Sequence, residues 1–478
     1  MKVIPVAISL VASHVSGVTI LAIPADIYKF GTNYAMVAFG IPLTCLVAAF
    51  ITMPVFHNLQ ITSTYEYLEM RFDTKTRLMA SLLFNIYMIL YLPIVIYGPA
   101  LAFSQATPIN LHLVNPIICA ICIFYTTIGG LKTVVWTDTL QFGAMLTAIF
   151  AVLYLGVTTV GGLGTVFKRS LDGGRLDIKM IALFAIGTAF CKAASVITGL
   201  IIYATYYDCD PFTLNKVQKN DQLLPYYIMD VANKIPGLPG LFIAGVFCAA
   251  LSTLSAQMNS LSGTIYQDFV SKFVPKDITQ LQVSNILKMI VVIIGVVSTA
   301  LVLVVENLGG ILPLTIAFSG VTSGALMGLF TLGMIFPWAN SKGAFIGSIC
   351  SLIFVAFMLI GNRIYQATGA LKYVPLPTSV EGCTANFTNY ENNTLVPNDV
   401  ENIFPLFRIS HYYYSLVGTL VVLVIGLPIS WITGKEVNVD EKLITPWMRW
   451  AITRVDSKEQ KYCNEITKEE LEKLNINS

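Results

Sequence analysis

Residues 8–24 read ISLVASHVSGVTILAIP, and the reading of this stretch decides the class of fold. Its apolar side chains have the density of a membrane-spanning helix, which takes about 20 mainly apolar residues. Its middle does not: Ser9, Ser13, His14, Ser16, Gly17 and Thr19 interrupt the run. A helix broken in mid-membrane releases backbone carbonyls that can hold Na⁺ or a proton, and it aims helix ends at a substrate. Serine and glycine also let two helices approach closely, so a packing face is an equal reading of the same residues.

The chain around this stretch is of one kind. Its 478 residues are 55% hydrophobic and only 12% charged, and the mean hydropathy is +0.71. Soluble domains carry about twice that share of charge. A net charge of +2 leaves no basic footprint for a nucleic acid. Nine scattered cysteines do not make a disulfide scaffold. Eleven apolar runs are long enough for spans: 3–23, 33–55, 80–104, 112–128, 136–158, 183–207, 237–265, 286–305, 311–335, 344–360 and 410–432. None shows the two-residue alternation of a barrel, so the chain is read as an all-α polytopic protein of the lipid bilayer. The first run lacks a basic leader and a cleavage site, which makes it a retained span. Residues 1–435 are taken as one transmembrane domain and 436–478 as a polar cytosolic tail.

The connections set expectations of side. Residues 61–79, with Arg71, Lys75 and Arg77 beside Glu66, Glu69 and Asp73, read as a helix lying at the membrane interface. The long loop 361–409 carries two sequons, at Asn386 and Asn392, which place it outside the cell if glycosylated. Cys383 in that loop and Cys209 in the connection 208–236 can form an extracellular disulfide or stay as two thiols. The positive-inside rule then gives two answers for 159–182. Counting back from the sequons puts this loop inside, whereas counting forward from Lys2 puts it outside. Either the N-terminal half is inverted or a span is missing between 158 and 183.

Few polar residues lie within the runs, and each has two readings. The run AGVFCAALSTLSAQMNSLSGTIYQD (244–268) holds Ser252, Thr253, Ser255, Asn259, Ser260 and Ser262. Hydroxyl and carbonyl oxygens suit a hard alkali cation, and equally an interhelical hydrogen bond. Lys192, ten residues into 183–207, can face a substrate carboxylate or pair for stability. Asp138, in WTDTLQ, reads as a carboxylate on a cation path or as a helix N-cap. His14 reads as a satisfied polar residue, and Cys119 with Cys122 as core packing. No catalytic motif stands in a usable context, so the chain is not read as an enzyme.

Seven segments in order have a familiar wording: PVAISLVAS (5–13), ITSTYEYLEMRF (61–72), IVIYGPALA (94–102), GGLKTVVWTDTLQ (129–141), YDCDP (207–211), PGLPGLF (236–242) and LSTLSAQMNS (251–260). They resemble the sodium:solute symporter family, in particular its animal branch of sodium-coupled monocarboxylate, multivitamin and iodide transporters. The resemblance implies a LeuT-type inverted-repeat core with alternating access. It implies a co-transported Na⁺ held by the carbonyls of Ala12, Val15 and Ala249 and the hydroxyls of Ser252 and Thr253. It places Thr19 and Lys192 at the substrate, although monocarboxylate relatives tend to be apolar at the second position. Asp138 and Ser255 match positions linked to cation release or an extra cation. Relatives also have a helix before the first span, and a whole span between GGRL (173–176) and 183–207, the sixth core helix. That missing span would resolve the conflict of sides.

The expected function is a plasma-membrane symporter importing a small organic anion, either a monocarboxylate or a vitamin such as biotin or pantothenate. Sodium-coupled iodide or sugar transport is the alternative within the class. A non-transporting truncated form that partners full-length transporters is the alternative outside it.

Overall fold

The computed structural model describes residues 3–36, 46–173 apart from 60 and 62, 175, 190–232, 237–275, 278–305, 311–371, 375–383, 403–434 and 439–449, with 44 and 436. Regular structure among them is helical throughout. In chain order the α-helices are α1 (Val3–His14), α2 (Gly17–Phe30), α3 (Met53–Leu59), α4 (Glu66–Arg71) and α5 (Thr74–Ala106). Next come α6 (Leu111–Val160), α7 (Leu163–Asp172), α8 (Phe190–Thr205), α9 (Leu223–Ala232) and α10 (Leu238–Ile265). The series ends with α11 (Gln280–Val305), α12 (Ile311–Ile335), α13 (Ser341–Ala367) and α14 (Tyr414–Ile432).

Where it is described, every apolar run of the sequence falls on a helix. Among the described residues eight helical segments reach membrane length, and a ninth span is the pair Ile8–His14 and Gly17–Phe30, bent by 48°. The runs 33–55 and 183–207 are represented by the shorter helices Ala48–Leu59 and Ala194–Thr205, each beginning close to residues outside the description. The runs 112–128 and 136–158 each reach membrane length, as Leu111–Gly129 and Thr133–Val160, within the continuous helix α6. Asn110 starts that helix by accepting the His112 amide at 3.0 Å, and Gly161, at φ 94°, ends it in the left-handed region.

The described residues fall into two compact units. The first comprises Met1–Leu43, Asn85–Phe318 and Asn362–Arg408. In it Leu21, Ile23 and Ile27 of α2 pack with Met145 and Ile149 of α6, Leu200 and Ile201 of α8, and Phe242 and Val246 of α10. A neighbouring cluster joins Ile94–Tyr97 of α5, Cys119 and Cys122 of α6, Leu254 and Met258 of α10 and Ile290 of α11. Both thiols are buried, and Cys119 Sγ donates to Gly295 O at 3.2 Å, so the C-x-x-C pair is core. In lipid such contacts gain from dispersion and close approach, not from expelling water. Gly245 shows how close: a Cβ there would lie 2.4 Å from that of Ala148, so only glycine lets α10 sit against α6.

The second unit comprises Thr44–Phe84, Ser319–Gly361 and Ile409–Ser478. Here the stretch 61–79, expected as one helix, holds two, α4 and the first turns of α5. Tyr67, Leu68 and Arg71 of α4 are buried, and α5 begins at Thr74. The Arg71 guanidinium donates to the carbonyls of Gly333, Phe336, Pro337 and Ala339 at 3.0–3.1 Å. These acceptors end α12, where a helix leaves its last carbonyls without amides, and a planar donor fork fills that need. The start of the tail also packs: Thr445 N donates to Met334 O, and Leu443 and Ile444 are buried.

Candidate ion and substrate site

The break in the first span is a local event with a local cause. The helical ladder of α1 ends with Val15 N donating to Val11 O at 3.1 Å and restarts with Thr19 N donating to Ser16 O at 3.0 Å. Between them Ser16 is extended (φ −94°, ψ 172°). Serine and glycine are poor helix formers, and Ser13, Ser16 and Gly17 are concentrated at this point. The last carbonyls of α1, those of Ala12 and Ser13 among them, are therefore released from the ladder.

α10 faces that break. Thr253 Oγ1 donates to Ser13 O at 3.2 Å and to Ala249 O, one turn back on its own helix, at 3.0 Å. This contact joins residues 240 apart in sequence. Ala12, Val15, Ala249, Ser252 and Thr253 are all at 5% exposure or less. Ser252 Oγ closes no hydrogen bond although it is buried. An orphaned hydroxyl oxygen near released carbonyls is a donor set that fits a small hard cation. Tyr125 of α6 fixes the register by donating its hydroxyl to Leu251 O at 2.7 Å.

Asp138 lies in the interior of α6, so the N-cap reading is overturned. The residue is fully buried, and its Oδ2 accepts Ser9 Oγ at 2.6 Å. The hydroxyls of Ser252 and Ser255 face the same carboxylate, while Ser255 Oγ donates to Ser252 O at 3.1 Å. Asp138 Oδ1 closes no hydrogen bond. Ser252 thus borders both the helix break and the carboxylate. Ser9 is the partner that sequence reasoning counted as polar but gave no role.

The remaining candidates are placed as follows. Thr19 is buried in the first turn of α2, just past the break. Lys192 lies in the first turn of α8, and its side chain is outside the described residues, as are Asn386 and Asn392 entirely. His14 is the exposed last residue of α1. Cys209 and Cys383 form a disulfide across a sequence separation of 174. Beside it the segment 375–383 is held down: Leu376 N donates to Lys29 O at 2.8 Å and Asp210 N to Ser379 O at 3.0 Å. Arg175, in the connection 159–182, is 1% exposed. It donates to the carbonyls of Tyr28, Gly173, Leu376 and Pro377 and stacks 3.8 Å over Tyr203.

The sequence profile of the sodium:solute symporter family matches residues 1–173 and 179–351. Sodium-coupled monocarboxylate transporter 1 of Xenopus laevis is 34% identical over 497 aligned positions, covering 91% of this chain and 79% of its own. The human protein of the same name is 34% identical over 511, covering 93% and 83%. Both alignments are longer than the chain, so these relatives carry residues with no counterpart in it. A solved Na⁺-coupled sialic acid symporter, in a substrate-bound outward-open state, superposes with a TM-score of 0.66 at 22% identity and covers 90% of both chains. That likeness gives the fold, a LeuT-type transporter core. The chain belongs to the sodium:solute symporter family: it is a multi-pass, sodium-coupled transporter of a solute and not an enzyme.

Proposed function

We propose that the chain imports a small organic anion, a monocarboxylate before a vitamin such as biotin or pantothenate, across the plasma membrane with Na⁺. The observation that carries this reading is the bond from Thr253 Oγ1 to Ser13 O, which brings a hydroxyl-rich helix onto a helix break. Na⁺ is held there by the carbonyls of Ala12, Val15 and Ala249 and the hydroxyls of Ser252 and Thr253. The anion lies at the outer half-helix near Thr19, with Lys192 as its countercharge. A second cation passes by Asp138 and Ser255.

The driving force sets a use for that second cation. One Na⁺ with one monocarboxylate is electroneutral, so the membrane potential does no work on the pair. Each further cation adds about 2.3 kcal/mol per 100 mV. By the positive-inside count, with a span restored between 173–176 and 183–207, residues 361–409 and the disulfide face outside, and the tail faces the cytosol. On this reading residues 1–435 form the transporter domain. Uptake of labelled lactate, nicotinate, biotin and pantothenate, with and without Na⁺, tests the proposal. Sodium-dependent uptake should collapse in Thr253→Ala, and unchanged sodium dependence in that variant would overturn the ion site.

A further inference from the structure

The face of the first unit that carries the disulfide holds a buried carboxylate that the transport cycle as described does not use. Asp221 is 2% exposed, and its Oδ2 accepts the backbone amide of Ile311, the first residue of α12, at 3.0 Å. Two residues earlier Lys219 donates to the Tyr97 hydroxyl of α5 at 3.2 Å and lies over that ring. Lys29, in the last turn of α2, sits 4.1 Å above the Phe212 ring, within electrostatic reach of both Asp221 and Asp210. The stretch 210–222 therefore clasps α2, α5 and α12 together. Its other carboxylate is fully engaged: Asp210 accepts the Tyr28 hydroxyl at 2.7 Å and both the amide and hydroxyl of Thr213.

Resting on the orientation proposed above, we infer that Asp221 is a proton-operated latch on the outer mouth, closed by an acidic outer medium and loosened when the carboxyl ionises. The groups facing it are the Ile311 amide from α12, Lys29 from α2 and Lys219, which is itself held on Tyr97 of α5. Burial pushes the Asp221 carboxyl up to about 6, against the opposing pull of the Ile311 amide, Lys219 and Lys29. The sign follows from linkage. A carboxyl with a higher pKa when buried than in water favours the buried arrangement while neutral. That preference is complete below the usual carboxylate range and is lost as pH rises through about 6. The neutral group still accepts the Ile311 amide through its carbonyl oxygen, so closure keeps its hydrogen bond.

Asp221→Asn imitates the neutral carboxyl at every pH. In purified protein, amide hydrogen exchange over 206–222 should be slower in Asp221→Asn than in wild type at pH 7.5, by a margin that narrows at least about threefold at pH 5.5. Comparing the two proteins at each pH cancels the intrinsic pH dependence of exchange. An equal difference at both pH values, or none at either, overturns the latch whether or not the protein transports. On the transport reading, sodium-dependent uptake by Asp221→Asn relative to wild type should rise at least about threefold between external pH 7.5 and 5.5. A flat ratio in an active transporter sinks the latch alone, and absent wild-type uptake sinks the transport reading alone. Should Asp221→Asn fail to reach the surface, Lys29→Gln serves. Losing that cation moves the wild-type exchange midpoint to higher pH, and an unmoved midpoint overturns the proposal.

Discussion

The hydroxyl of Ser9 donates to Asp138 Oδ2 at 2.6 Å, joining α1 to the middle of α6 across 129 residues of sequence. A buried carboxylate is costly in hydrocarbon unless its charge is matched by hydroxyls, a proton or a cation. Ser9 supplies one hydroxyl by direct hydrogen bond, and those of Ser252 and Ser255 lie within electrostatic reach. Removing the donor and removing the charge are therefore different experiments.

Ser9→Ala takes one hydroxyl from Asp138, and the sodium concentration for half-maximal uptake should rise about tenfold or more, as expected for one hydrogen bond to a charged group. Asp138→Asn should instead reduce the charge carried per substrate, measured as sodium-evoked current against labelled uptake. A charge ratio equal to wild type would remove Asp138 from the cation path.

At Thr253 the hydroxyl and the methyl can be separated. Thr253→Ser keeps the oxygen that reaches Ser13 O and should hold sodium affinity within about threefold, whereas Thr253→Val, of the same shape, should lose at least about tenfold. Sodium titrations of uptake at saturating substrate decide between them. Equal affinities for Ser and Val would show that the site does not use the hydroxyl.

Arg71→Met keeps the length of the side chain and removes the guanidinium from four carbonyls, of which Phe336 O retains the Ala339 amide. Leaving buried acceptors unmet costs about 1–3 kcal/mol each where water cannot follow, so the loss should be at least about 3 kcal/mol. The expected result is a melting temperature several degrees lower in detergent, with sodium affinity unchanged in the protein that survives. A melt matching wild type would mean that water has taken over the carbonyls.

Cys209→Ser and Cys383→Ser should each lower stability by about 2–4 kcal/mol, and the double variant should be no worse than either single one. A reductant that reaches the bond should bring wild type to the same melt. Additive losses in the double variant would point to two independent thiols.

How much of this was legible in the chain depends on the range of the interaction. Helices were, because a long apolar run in lipid can satisfy its backbone only as a helix. The break at Val15–Ser16 was as well, since Ser13, Ser16 and Gly17 are poor helix formers standing side by side. Gly129 and Gly130 carry the same local signal within α6, yet the helix runs on through them. A cost of about 1 kcal/mol per glycine is small against packing along fifty residues of helix. Arg71 was misread for a different reason. Its charge pattern with Glu66 and Glu69 is that of a wet helix face, and nothing local announces that Gly333–Ala339 will present bare carbonyls to it. Ser9 was unassignable on the same ground, its partner being 129 positions away.

The glycine contact between α6 and α10 has a mechanical consequence. With Gly245 against Ala148 and Tyr125 bound to Leu251 O, these helices form one stiff slab carrying Asp138, Ser252 and Thr253. The half-helix α1 is pinned to that slab at Ser9 and at Ser13, only about 6 Å apart along its axis. Pins so close together resist sliding but give little leverage against rotation. A modest swing of α1 about that short hem would undo both at once, so the slab keeps its shape while the half-helix behaves as a flap.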